Sequence, residues 1–230
     1  MKKLILSFLP IFILSSQVFA IAGFGLNLNQ SLYNISAETK TVGTAITYGN
    51  KEFSNGVGLG GYLYIDAIPF IDLDLELNTF WSKYDYFFIL NDETTNYNNL
   101  PFGSFSGYFT IQKKLFQIKI PLLAKAKLTA GVGLNNQTYK STPTQKDLES
   151  LLGLGDGLLA DASGSPDLDK LKDFIKDNTE SISGFHIQAG LQFKLLMLDS
   201  FLFYRQVIVD DVIPGAKGFG SLNLRLGMGF

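Results

Sequence analysis

The chain has 230 residues, 46% of them hydrophobic, 13% aromatic and only 17% charged, with 23 glycines, no cysteine and a formal net charge of −2. A near-neutral chain with no basic run excludes a nucleic-acid partner, because phosphate binding needs a concentrated lysine and arginine face. The lack of cysteine excludes a disulfide-stapled scaffold, so backbone pairing and packing must hold the fold together.

Lys2 and Lys3 precede the apolar run Leu4 to Leu14, and Val18-Phe19-Ala20 offers small residues where a signal peptidase reads. Residues 1–20 are therefore expected to be a cleaved Sec-type secretory signal, with the mature domain spanning 21–230. The apolar run is shorter than the roughly 20 residues a spanning helix needs. From residue 22 onward the apolar residues recur at every second position, the period of a strand. Phe24, Leu26 and Leu28 alternate with glycine and asparagine; Val57, Leu59, Leu63 and Ile65 alternate with glycine, tyrosine and Asp66. Pro69 marks a tight turn into a third strand, from Phe70 to about Phe88, that opens IDLDLELNTFWS. Ile71, Leu73, Leu75 and Leu77 share one face there, and Asp72, Asp74, Glu76 and Asn78 the other. A helix would mix the two sets.

Strand four is expected over about 105–123, after the polar stretch NDETTNYNNLP, with Phe116, Ile118 and Ile120 opposite Gln117 and Lys119. Strand five runs from about Leu128 to Tyr139. Strand six sets Phe185, Ile187, Ala189, Leu191 and Phe193 against His186, Gln188, Gln192 and Lys194. Strands seven (201–212) and eight (218–230) complete an expected set of eight.

The connections after strands two, four and six are a few residues each, whereas those after one, three and five are long and polar. The exception lies after strand seven, near Pro214 and Gly215. Short turns on one side and long loops on the other suit an all-β, eight-stranded antiparallel up-and-down transmembrane barrel of the bacterial outer membrane. Ile71 to Trp81 matches the roughly 9 to 11 residues a tilted strand needs to cross hydrocarbon, which puts Trp81 in the outer aromatic girdle and Phe70 near the inner one. A soluble sandwich would expose no such matched band.

The final segment SLNLRLGMGF carries Leu222, Leu224, Leu226 and Met228 in one phase and ends on Phe230. It resembles the C-terminal signature of bacterial outer-membrane barrels, and the strand count is similar to the small OmpA/OmpX/OmpW-type proteins. The resemblance implies residence in outer-membrane lipid and handling by periplasmic chaperones and the barrel-assembly machinery. It implies no activity, ligand or cofactor, and no motif of any one family can be matched residue by residue.

Eight strands leave an interior just wide enough for side chains, so Asp66, Asp72, Asp74 and Glu76 need partners inside it. Lys119, Lys194 and Arg225 are the expected cations, with His186 beside them on the lumen phase. Arg205 is ambiguous: with Phe201, Phe203, Val207 and Val209 it faces lipid, unless Leu202, Tyr204 and Ile208 do so instead. The insert at about 141–181 breaks the pattern and reads as two short amphipathic helices, one after a capping box from Thr144 to Asp147 and one after Ser165-Pro166. Their apolar faces must pack on each other and the barrel rim, close a lid over an apolar mouth, or meet a partner or lipid headgroups. Asp156, Asp161, Asp167 and Asp169 lack the fixed spacing of a calcium loop.

No phosphate-cradling loop or nucleophile elbow occurs, and the single histidine has no serine two residues along. The expected role is non-enzymatic and without cofactor or metal, structural or surface-binding, around a lumen filled by ion pairs. The alternatives are a narrow conduit for small apolar molecules gated by the helical loop, and a lipid-modifying enzyme working through His186.

Overall fold

The computed structural model of the chain describes residues 22–32, 38–68, 71–120, 124–140 and 142–229. The expected signal peptide, Phe70 of the inner girdle and the terminal Phe230 lie outside the described residues. Among the described residues there are ten strands: β1 (Ala22–Leu32), β2 (Glu38–Val42), β3 (Ile46–Phe53), β4 (Val57–Ile68), β5 (Ile71–Leu90), β6 (Glu93–Ile120), β7 (Ala124–Tyr139), β8 (Glu180–Leu195), β9 (Leu198–Ile208) and β10 (Gly218–Gly229). Between β7 and β8 stand α1 (Gln145–Leu151), a single 3₁₀ turn (Leu159–Asp161) and α2 (Leu168–Asp177).

Eight of these strands close a ring in the order β1, β4, β5, β6, β7, β8, β9, β10, every neighbour antiparallel. Crossing the ladders from Lys113 through Ala130, Ala189, Tyr204, Leu222, Gln30, Val57 and Trp81 returns to β6 at Gly103, a stagger of ten residues. Strand number and stagger together set the tilt and bore of a barrel. The outer wall carries the predicted apolar rows, with Phe24, Leu26, Leu75, Leu77, Val132, Phe185 and Leu226 among its exposed residues. Trp81 is exposed on that wall, and so are Leu222, Leu224 and Met228.

Two features depart from the sequence expectation. Strand four begins at Glu93, not near 105, because Asn91 and Asp92 adopt positive φ of 49° and 67° and close a two-residue hairpin that carries β5 and β6 well beyond the ring. The long connection after β1 contains the hairpin β2–β3, whose inner strand pairs with the upper part of β5. Within that hairpin β2 is largely exposed, whereas β3 buries Ile46, Tyr48 and Phe53 in the core shared with the extension of β5.

The inward face of β5 changes character along its length, from Asp74, Glu76 and Asn78 to Phe80, Tyr84, Tyr86 and Phe88. The upper aromatics join Ile46 and Tyr48 of β3 and Tyr97, Leu100 and Phe102 of β6 in one apolar core. Leu148 of α1, Leu159 of the 3₁₀ turn and Leu171 and Ile175 of α2 are buried in the same core. The insert thus packs on the barrel rim and its extension. Thr144 and Asp147 form the expected capping box, but the cap of the second helix lies two residues after Ser165, at Asp167, which accepts from the backbone N–H groups of Asp169 and Lys170 at 2.9 and 3.1 Å. Tyr97 Oη donates to the carbonyl of Pro166 at 2.5 Å and ties that entry to the barrel extension.

Candidate functional site

The lumen holds the buried chemistry of this chain, and it is layered. At the mouth where β4 ends and β5 begins, Lys127 Nζ donates to Asp66 at 2.6 Å and to Asp72 at 3.3 Å. Lys125 lies 3.6 Å from Asp66. Across the mouth Lys194 sits 3.7 Å from Asp199, which also accepts from Gln192 at 3.1 Å and from the Tyr64 hydroxyl.

One layer deeper the register sets Asp74 and Glu76 opposite two arginines. Arg225 donates from Nη1 to Asp74 at 2.8 Å and from Nη2 to Glu76; Arg205 donates from Nη1 and Nη2 to the two oxygens of Glu76 at 2.8 and 2.9 Å. All four side chains are buried. The arginines also lie on aromatic faces, Arg205 3.9 Å from the Tyr108 ring centroid and Arg225 4.7 Å from that of Phe203. Planar, weakly hydrated guanidinium groups suit a site where two carboxylates and several rings must be met in little space. Removing any one member would leave an uncompensated buried charge.

Asp66, Asp72, Asp74, Glu76, Lys194 and Arg225 face the interior from the phase the alternation assigns them. Lys119 is exposed near the end of β6, directly across the ladder from Lys125. The lysines that meet the acids are Lys127 and Lys125 of β7. Beginning strand five at Leu128 instead of Ala124 hid them, although Lys125 and Lys127 alternate with Ala124, Ala126 and Leu128 in the sequence. Arg205 takes the interior phase with Phe201, Phe203, Val207 and Val209, and Leu202, Tyr204 and Ile208 are outward. That phase satisfies Glu76, whereas the other would place a guanidinium against lipid. The lumen filling is also more aromatic than a pure ion network, since Tyr62, Tyr64, Phe201 and Phe203 pack between the two charged layers.

His186 is buried above Arg205. Its Nε2 lies 2.8 Å from Thr110 Oγ1, its ring meets Tyr108 edge-on at 5.2 Å, and its Nδ1 has no partner. Gly133, directly across the ladder, makes room for the ring. A nucleophile and base need a third group on the far imidazole nitrogen and space for substrate. Among the described residues no group of three or more His, Cys, Asp or Glu side chains is placed to hold a metal ion. A space inside the lumen beside Gln112, Gln188, Phe203 and Arg225 is about 10 Å³, room for one water.

No family model matches the chain, and no curated protein matches it. Among solved structures it is similar to the outer membrane protein OprG from Pseudomonas aeruginosa, with a TM-score of 0.54 at 9% identity over 93% of this chain and 98% of that one. Weaker likenesses are to the N-terminal β-barrel domain of Pseudomonas aeruginosa OprF (TM-score 0.41, 10% identity, 90% and 99% covered) and to Neisserial surface protein A (TM-score 0.41, 13% identity, 90% and 96% covered). The chain has the fold of the small eight-stranded antiparallel outer-membrane β-barrels.

Proposed function

We propose that this barrel is a non-enzymatic resident of the bacterial outer membrane, exported through the Sec-type signal at 1–20, with a closed lumen and an outer cap that serves as its working surface. The observation that carries the reading is the continuous filling of the interior. Two charged layers and an aromatic layer span the lumen, and the insert seals the apolar core above them. An eight-stranded bore packed in this way supports a closed lumen over a water path or an apolar channel. The surface left for recognition consists of the β2–β3 and β5–β6 hairpins and the helical insert, loops held on a rigid scaffold. The apolar alternation from Leu222 to Met228 on the outer wall supports delivery by periplasmic chaperones to the barrel-assembly machinery.

The test is single-channel conductance and apolar-solute uptake in liposomes, with the full chain and with a variant lacking residues 144–178. A closed scaffold gives neither current nor uptake in either form. Uptake that appears when the helices are removed would make the insert a lid and the protein a conduit.

A further inference from the structure

Lys113 stands where a charge is costly. It is exposed on the outward phase of β6, between Ile111 and the exposed run Phe116, Ile118 and Ile120 that continues toward the periplasmic end. Among the described residues no ion pair reaches it. A lysine within the outward apolar belt is unfavourable unless an anion meets it or its stem reaches the interface.

The wall beside Lys113 is shaped for such an anion's attached chain. Across the ladders Lys113 faces Ala130, Ala130 faces Ala189, and Ala189 faces Tyr204. The two alanines are low points between larger neighbours, Val132 and Ile187 among them, and the resulting furrow has a volume of about 610 Å³. This is the size range of ligand sites. Its far end is polar, where the Tyr204 hydroxyl donates to Gln206 at 2.7 Å. A slip in register between Lys114 and Phe116 leaves Leu115 exposed at the edge of the furrow, the kind of bulge that re-aims side chains at a sheet surface.

We propose that this furrow binds an anionic glycerophospholipid of the inner leaflet, its phosphate held by Lys113 and one acyl chain lying over Ala130 and Ala189. Charge complementarity selects an anionic headgroup, and the apolar floor selects a lipid over a free phosphate ion. The inference rests on the barrel being inserted in the membrane, so insertion is scored separately by protease protection in liposomes.

The experiment is native mass spectrometry of the full chain released from micelles containing phosphatidylglycerol or phosphatidylethanolamine of the same acyl composition, with K113Q and A189L variants. Expected are one retained phosphatidylglycerol per barrel, a several-fold lower occupancy in K113Q with loss of the preference over phosphatidylethanolamine, and loss of both lipids in A189L. Equal retention by all three proteins, displacement by inorganic phosphate alone, or a dimer mass in place of a lipid adduct would overturn the proposal. A variant that inserts normally yet retains no lipid separates failure at this site from failure of the membrane reading.

Discussion

Arg205 and Glu76 stand 129 residues apart in the chain and meet as a two-bond pair, Nη1 to Oε1 at 2.8 Å and Nη2 to Oε2 at 2.9 Å. The pair bridges β9 and β5 across the bore. Arg205→Ala leaves Glu76 buried with Arg225 as its remaining cation, and the barrel is expected to lose about 3 kcal/mol of stability. Replacing both partners by apolar residues, Arg205→Met with Glu76→Leu, is expected to cost less than the sum of the two single changes. Urea unfolding in phospholipid vesicles measures all three, and strict additivity would show that the pair is not coupled.

The Glu149 carboxylate organises the insert from within. It accepts from Gln145 Nε2 at 2.9 Å and from the backbone N–H groups of Gly157 and Leu159 at 3.0 and 3.2 Å. The hydrogen bond from Gln145, then those two backbone donors, hold its pKa below the usual glutamate value. The stabilisation is present above the unfolded glutamate pKa of about 4.3 and is lost as pH falls through the lower folded value. Acidification below about pH 4 should therefore release the 153–161 segment while the barrel stays closed. The Gly157 and Leu159 amide shifts followed by NMR should move together in that window, and in Glu149→Gln they should lose their carboxylate-bound positions at neutral pH.

Tyr97→Phe removes the hydrogen bond to the Pro166 carbonyl at the entrance to α2. A loss of about 0.5–1.5 kcal/mol confined to the insert is expected, because Leu171 and Ile175 remain buried in the core. Limited proteolysis should cut faster between residues 153 and 167, with an unchanged unfolding midpoint for the barrel.

Gly133 and Gly61 differ in what a side chain would meet. A Cβ at Gly133 would collide with the Phe109 carbonyl and the His186 ring, whereas at Gly61 the nearest atom is the Gly25 carbonyl oxygen at 3.7 Å. Gly133→Ala is expected to cost about 1–3 kcal/mol and to displace His186 from Thr110, and Gly61→Ala to be nearly neutral. Unfolding midpoints of the two variants give the contrast.

The barrel itself was written in the sequence. Period-two alternation depends only on which residues face outward, and each outward row is long enough for the pattern to show in Leu73, Leu75 and Leu77 or in Phe185, Ile187 and Leu191 without knowledge of the neighbours. The capping box at Thr144 and Asp147 is equally local. The tertiary structure decided what local patterns do not contain. An interior charge is satisfied by whichever strand the ring closure brings opposite it, so Glu76 meets Arg205 as well as Arg225, and Asp66 and Asp72 meet lysines of β7. The stagger of the ring sets those meetings, and no residue by itself encodes it. The outer hairpin β2–β3 escaped notice for the same reason, since its strands exist by leaning on an extension of β5. Sequence determined the wall; closure of the ring determined what fills it.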